Sequence, residues 1–341
     1  MKIVIDAFGG DNAPLEIIKG AVKAQEHFKI EICLTGNENI IKKVAKENNI
    51  DISNIEINHT EDVIPVDETP NAIMKEYNNS SMALGLKMVA NNEADGFVSA
   101  GNSGALCVGG TLIVKRLKGV KRPGFAPILP TFNGSSFLLI DGGANLDARP
   151  EILRQFGILG SVYMEKVMHR ESPRVAIANV GTESHKGGDL QKDTYALLQD
   201  SPVNFVGNVE SREISNGACD VYVCDGFTGN ILLKNYEGVA KSLSHAVTGI
   251  FKKSVKNKIG ALFVYGDLMK FKETMNTDVY GGAPILGIKK PVFKAHGSSN
   301  AFAIKNAINQ AIKFANGNVV EDIEQVLKEL SEKEKDFSEL M

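Results

Sequence analysis

Residues 99–106 read Ser-Ala-Gly-Asn-Ser-Gly-Ala-Leu, set between the apolar run Gly96-Phe97-Val98 and a stretch that continues as a helix from Leu106 to Lys115. Strand, small-residue turn and helix together leave backbone N–H groups free at a helix start, and Gly101 and Gly104 let an anion reach them. A phosphate would sit well there. The grammar returns where Val221-Tyr222-Val223-Cys224 runs into Asp225-Gly226-Phe227-Thr228-Gly229-Asn230. Related turns are Gly9-Gly10-Asp11, Asp141-Gly142-Gly143-Ala144-Asn145, the polar run from Asn179 to Gly188 and His296-Gly297-Ser298-Ser299. Any one of them also fits ordinary turning and helix capping. Their repetition at strand ends points to a ligand cleft in an open α/β sheet.

Several mechanisms are excluded by what is missing. No two glycines lie two positions apart, so the dinucleotide fingerprint is absent, and without a Gly-Lys dipeptide there is no P-loop. Gly-x-Ser-x-Gly is also missing, so Ser103 occupies no nucleophile elbow. The six histidines form no metal-binding spacing, and Cys33, Cys107, Cys219 and Cys224 form no Cys-x-x-Cys pair; no metal site is expected. Phosphate-binding turns without a protein nucleophile make sense if phosphate itself attacks, since the enzyme then has only to orient an anion and stabilise an oxyanion. Lys186 would supply charge, and Asn230 at a helix start would hold a carbonyl oxygen as it becomes negative. The plainer alternatives are an exposed loop lysine and an ordinary helix-end residue.

Positioning such groups needs a large scaffold, and 341 residues, 43% of them hydrophobic, provide one. A net charge of -3 argues against general nucleic-acid binding, and the unpaired cysteines fit a reducing, cytoplasmic setting. No signal peptide and no apolar run long enough to span a bilayer is found. Short apolar runs alternating with helical patterns predict a three-layer α/β/α fold with a large, mostly parallel sheet, and Asn133-Gly134 predicts one antiparallel hairpin. The chain reads as a single domain over 1–341, with two lobes around a cleft. Asp189 is expected to cap a helix, and the run from Glu61 to Tyr77 to form a long loop over the cleft.

Two features sit apart from the cleft. Lys115, Arg116, Lys118, Lys121 and Arg122 cluster ahead of Pro123, either as a solvated helix end or as a dock for an acidic partner. From Val247 to Phe263, Ile250, Phe251, Val255, Ile259, Leu262 and Phe263 recur at helical spacing among lysines, which predicts a protruding basic amphipathic segment over 247–271. Dimer packing and membrane-surface attachment explain it equally well. An acidic amphipathic helix over 319–341 closes the chain.

The ordered motifs DAFGGDNAP, NSSM, SAGNSGAL, DGGAN, NVGTESHKG, CDGFTGN, YGGAPILG and KAHGSS resemble those of the bacterial fatty acid/phospholipid synthesis (PlsX) family of phosphate acyltransferases, from Met1 to about Asn316. The resemblance implies an isocitrate/isopropylmalate dehydrogenase-like fold, also similar to phosphotransacetylases, and a reaction of acyl-[acyl carrier protein] with inorganic phosphate to give acyl phosphate and free carrier. It implies no cofactor, a homodimer, and a cytoplasmic protein peripheral to the inner face of the cell membrane, serving a membrane glycerol-3-phosphate acyltransferase. The family's key lysine and asparagine fall on Lys186 and Asn230. The phosphate and substrate site would draw on Gly9, Gly10, Asp11, Gly101, Asn102, Ser103, Gly104, Asn145, Gly181, Thr182, Glu183, Asp225, Gly226, Thr228, Gly229, His296, Ser298 and Ser299. Because a carrier protein is acidic, the 115–122 cluster becomes its expected dock. Competing readings are a metal-dependent oxidative decarboxylase or a CoA-linked phosphotransacetylase of the same fold, and a non-catalytic membrane scaffold.

Overall fold

Ile3, Val4 and Ile5 are apolar on both faces of their strand, which suits only the middle of a sheet covered on both sides. A computed structural model describes residues 1–340, with side chains through 333, and places this strand there. The strands in chain order are β1 (Lys2–Asp6), β2 (Glu31–Gly36), β3 (Glu56–His59), β4 (Gly96–Ser99), β5 (Gly124–Phe125), β6 (Ile128–Pro130), β7 (Ser136–Ile140), β8 (Arg174–Asn179), β9 (Asn204–Glu210), β10 (Val221–Val223), β11 (Gly282–Leu286) and β12 (Val292–Ala295). The helices are α1 (Leu15–Phe28), α2 (Glu38–Glu47), α3 (Ser81–Ala90), α4 (Ser103–Gly109), α5 (Pro150–Lys166), α6 (Asp189–Gln199), α7 (Ser211–Ile214), α8 (Gly226–Lys252), α9 (Val255–Thr274), α10 (Ala301–Asn316) and α11 (Val319–Leu340).

The mostly parallel α/β architecture is present, but the strands divide between two sheets. One has the order β3-β2-β1-β4-β12-β11-β5 and the other β6-β7-β10-β8-β9. Residues 124–130 run from one to the other: Ala126 N–H donates to Pro284 O (3.0 Å), and the next residue's carbonyl, Pro127 O, accepts Leu139 N–H (2.9 Å). Pro127 has no N–H to extend the first ladder, so the chain changes partners there. The Asn133-Gly134 turn joins β6 to β7 as an antiparallel hairpin, with Gly134 at φ +80°.

Capping explains several helix starts. Ser80 accepts from Ala83 N–H at α3, Asn102 from Ala105 N–H at α4 and Asp225 from Thr228 N–H at α8. Asp189 is not the cap of α6: Gly188 holds that position, its N–H bonded to Gln191 Oε1 at 3.1 Å, and Asp189 is the first helical residue. The loop after β3 contains a 3-10 turn at Pro70–Met74.

The segment expected to be one basic amphipathic helix is two helices, and in the second, α9, apolar and charged residues are spread around the helix instead of gathering on separate faces, so the expected amphipathic pattern is not found there. Ser254 ends the continuity and caps α9 through Asn257 N–H (3.1 Å). Beyond Leu233 no residue of α8 is buried, and none of α9 is, so the projecting hairpin begins earlier than residue 247. At the other end α11 lays Ile323 and Leu327 against the core, with Lys166 Nζ 3.1 Å from Asp322. Met341 of the expected C-terminal helix lies outside the described residues. Among those described, no helix is long and apolar enough to cross a membrane.

Candidate functional site

Because β1, β4 and β12 are parallel neighbours, the turns that follow them lie along one sheet edge. Asp6 organises that edge. Its carboxylate, 2% exposed, accepts the Ser81 and Ser99 hydroxyls (2.7 Å each) and Phe8 N–H (3.2 Å). Burial pushes Asp6 above the usual carboxylate range, against the pull of those donors and Lys294. A methyl group on Gly9 would fall 2.6 Å from Gly101 N and 2.8 Å from Asp6 Oδ2, so only glycine lets the first two turns close on each other. The third turn joins them through Asp11 N–H to Gly297 O (2.7 Å) and through Asn12 Nδ2, which donates to Ser298 O and Ser299 O.

The second sheet repeats the arrangement. β8, β10 and β7 are parallel neighbours, and Asp141, just past β7 and fully buried, takes the part of Asp6. Its Oδ1 accepts from Phe125, Gly143 and Ala144 N–H groups, and its Oδ2 from the backbone and side chain of Asn145. Burial raises its affinity for a proton, opposed by those same donors. The start of α8 packs directly on this turn: Gly226 N–H donates to Asn145 O (2.7 Å), and a methyl group on Gly143 would touch Asn230 Cβ at 3.3 Å. Asn230 itself is exposed.

The two edges face each other across α4 and α8. His296 Nε2 is 4.0 Å from Glu237 Oε2 on α8, Lys294 feels the charge of Lys234, and Cys107 on α4 feels both Asp141 and Lys294. Lys294 is 8% exposed and donates to Ala100 O and Ala295 O. Burial, helped by Lys234, brings its ammonium down to about 8. Burial carries the Cys107 thiol up to about 12, which leaves it a poor nucleophile.

Lys186 is exposed in the turn after β8. That turn is held from within: Lys186 N–H donates to Glu183 O (3.1 Å), Asn179 Nδ2 to Lys186 O (3.1 Å) and Asn208 Nδ2 to Glu183 O (2.8 Å). Two buried side-chain atoms lack a hydrogen-bond partner among the described residues, Asn208 Oδ1 below this turn and Ser299 Oγ in the turn after β12.

The sequence-predicted residues therefore separate into groups. Gly9, Gly10, Asp11, Gly101, Ser103, Gly104, His296, Ser298 and Ser299 belong to the first edge, and Asn145, Gly226, Gly229 and Asn230 to the second. Gly181, Thr182, Glu183 and Lys186 occupy the neighbouring turn of that second edge. Asn102 is consumed internally, its Nδ2 reaching Pro65 O, Val66 O and Glu68 O, while Asp225 binds Thr228 through both backbone and hydroxyl. Sequence reasoning placed Asp6 and Asp141 at strand ends but gave neither them nor Lys294 a role in the site. The signal for the carboxylates was an acid ending an all-apolar run in both Ile-Val-Ile-Asp and Leu-Leu-Ile-Asp.

A cavity of about 940 Å³ lies between Asn145 and the π-helical stretch Gly110–Lys115 that continues α4. Lys115, Arg116 and Arg122 line it together with Lys289, whereas Lys118 and Lys121 do not. The backbone is pinned here by Leu117 N–H to Gly287 O and Lys289 N–H to Lys115 O, both 3.0 Å.

A family model described as fatty acid synthesis protein matches residues 1–322. The chain is 46% identical to the phosphate acyltransferase of Alkaliphilus oremlandii over 98% of its own length and 99% of that relative. It is 44% identical to the phosphate acyltransferase of Clostridioides difficile over 98% of both. Among solved structures, the EutD phosphotransacetylase from Staphylococcus aureus superposes with a TM-score of 0.60 at 17% identity, covering 92% of this chain and 94% of the other. A phosphotransacetylase from Streptococcus pyogenes gives 0.62 at 15% identity with the same coverage. At those identities the structural likeness concerns the fold.

Proposed function

The chain belongs to the fatty acid synthesis protein family and is a phosphate acyltransferase, and from that premise we propose that it moves an acyl group from acyl carrier protein to inorganic phosphate between its two glycine-lined edges. Phosphate rests on main-chain amides of the turns after β1, β4 and β12, where Ser299 Oγ has a hydrogen bond to give. Lys186 supplies positive charge to the attacking oxygen. Asn230, seated on Gly143, donates to the thioester oxygen as it becomes an oxyanion. A carbon–oxygen bond to phosphate forms as the carbon–sulfur bond breaks, and the proton given up by phosphate ends on the departing thiol.

The observation that carries this reading is the pairing of two strand-end edges, each drawn tight by a buried aspartate, with Lys186 and Asn230 exposed on one of them. A protein dock at the 115–122 cluster, a homodimer and peripheral contact with the inner face of the cell membrane through Ile250, Phe251, Val255, Ile259, Leu262 and Phe263 complete the proposal. The product's acyl chain gives a reason to work at a bilayer beside a membrane glycerol-3-phosphate acyltransferase. Purified protein mixed with acyl carrier thioester and labelled phosphate is expected to release labelled acyl phosphate and free thiol in equal amounts. Thiol release that does not depend on phosphate would overturn the mechanism.

A further inference from the structure

Strand register lines up four polar side chains at the carboxyl ends of the first sheet. Thr35 pairs with Asp6, Ile5 with Val98 one residue earlier, and Ser99 with Lys294, so Thr35, Asp6, Ser99 and Lys294 form one row across β2, β1, β4 and β12. All four are buried. Three of them spend their hydrogen-bonding groups within the fold: the Thr35 hydroxyl donates to Ile5 O, and Asp6 accepts the Ser99 and Ser81 hydroxyls. Lys294 does so only in part. Its ammonium has three hydrogens, and two go to Ala100 O (3.1 Å) and Ala295 O. It forms no ion pair among the described residues.

Two carbonyls need no more than the two hydrogens of a neutral amine, so turn support alone does not call for a cation at this depth. A buried charge without a paired charge is costly, and an apolar chain of the same length avoids that cost. An anion arriving from the cleft would give the charge its partner. We propose that Lys294 is a phosphate-binding residue, its third hydrogen donated to an oxygen of the attacking phosphate; this deepens the phosphate reading above and rests on it. The turns after β1, β4 and β12 contain neither lysine nor arginine over residues 7–14, 100–105 and 296–300, so their main-chain amides offer a dianion only partial charges. Lys294 brings a whole charge to the same edge. It stands where the first two turns meet, because a methyl group on Gly10 would lie 3.4 Å from Ala100 O, the oxygen that the ammonium holds. Asp11 from the turn after β1 and Lys234 from α8 both act on its charge, which places it on the cleft side of the row. The ammonium that burial and Lys234 hold at about 8 is still protonated at neutral pH and so is ready to meet an anion. Ser299 Oγ, in the turn after β12, is on hand for a second oxygen.

The test titrates inorganic phosphate calorimetrically into the intact wild type and into Lys294→Met and Lys294→Gln. Methionine keeps the apolar stem and removes every hydrogen, whereas glutamine keeps a two-hydrogen donor for the carbonyls and removes the charge. Both variants are expected to bind phosphate roughly tenfold to a hundredfold more weakly, the range of a hydrogen bond to a charged group. In turnover, KM for phosphate should rise by the same factor while KM for the acyl thioester stays, a split that general loosening of the turns would not give. Wild-type affinity for phosphate in Lys294→Gln, or equal rises in both KM values, overturns the assignment. Crystals of the wild type grown in phosphate give a measurement free of any folding defect in the variants. An oxygen within hydrogen-bond distance of Lys294 Nζ supports the contact, and phosphate seated elsewhere or not bound overturns it. A wild type that binds phosphate at Lys294 but forms no acyl phosphate from an acyl thioester refutes the proposed reaction and leaves the binding residue standing.

Discussion

Asn145 donates both its backbone N–H and its side-chain amide to one oxygen of Asp141, at 2.6 and 2.8 Å. A buried carboxylate with this many donors acts as a template for the turn around it. Asp141→Asn keeps the size of the side chain but sets an NH2 group against N–H donors, whichever way the amide is turned. The expected result is a loss of roughly 3 kcal/mol in urea unfolding, together with a loss of acyl phosphate formation as Asn230 loses its seat on Gly143. Retention of both stability and turnover would remove Asp141 from the argument.

Lys294 makes a prediction in pH. Its ammonium titrates at about 8 instead of the ordinary 10.5, so between those values the unfolded chain holds a proton that the folded chain has released. Stability therefore rises with pH across that window, and below it the full penalty of the buried charge remains. The gain is about 3 kcal/mol from this group, by the free energy of one pKa unit. Lys294→Met should unfold with a flatter pH dependence from 8 to 10.5, measured by urea titration at each pH.

The sheet-forming runs and the glycine turns were legible because their signals are local: apolar strands end in Asp6 or Asp141, and Gly and Asn follow. The Asn133-Gly134 hairpin was legible for the same reason. The division into two sheets was not, since it follows from which strands find partners on either side of Pro127. Lys294 sits at an ordinary strand position, and only the folded chain shows that Ala100 and Ala295 carbonyls surround it. Lys289 joins Arg122 at one cavity although 167 positions separate them, a distance no periodicity spans.

Asn102 ties the 65–68 segment to the site. Its amide reaches three carbonyls at 2.8 to 3.2 Å while its oxygen caps α4. Asn102→Ala strands those carbonyls and removes the cap, at an expected cost of roughly 2 kcal/mol. Hydrogen exchange should show faster opening of the segment between Ile64 and Met74, and unchanged protection there would mean that other contacts hold it.

Lys186→Ala and Asn230→Ala separate chemistry from folding, because both side chains are exposed and no core contact depends on them. Each is expected to lower kcat on the order of a hundredfold with the melting temperature held, and the double variant to lose less than the product of the two, since both act on one transition state. A full product of the single losses would indicate independent roles.

The helical pair α8 and α9 exposes apolar side chains that a solvated hairpin would not retain without a surface to meet. Leu262 is 75% exposed and Phe263 86%, and Lys256 and Lys258 stand on the same helix. Apolar contact adds to attraction for anionic headgroups, so binding should weaken both when apolar residues are made acidic and when salt is raised. Ile259→Glu with Leu262→Glu is expected to abolish most co-sedimentation with anionic vesicles while turnover of a water-soluble acyl carrier thioester continues, because neither residue lies at the strand-end edges. If sedimentation survives and the variant instead runs as a monomer where the wild type runs as a dimer, the exposed face belongs to a second copy of the chain and the membrane contact must be sought elsewhere.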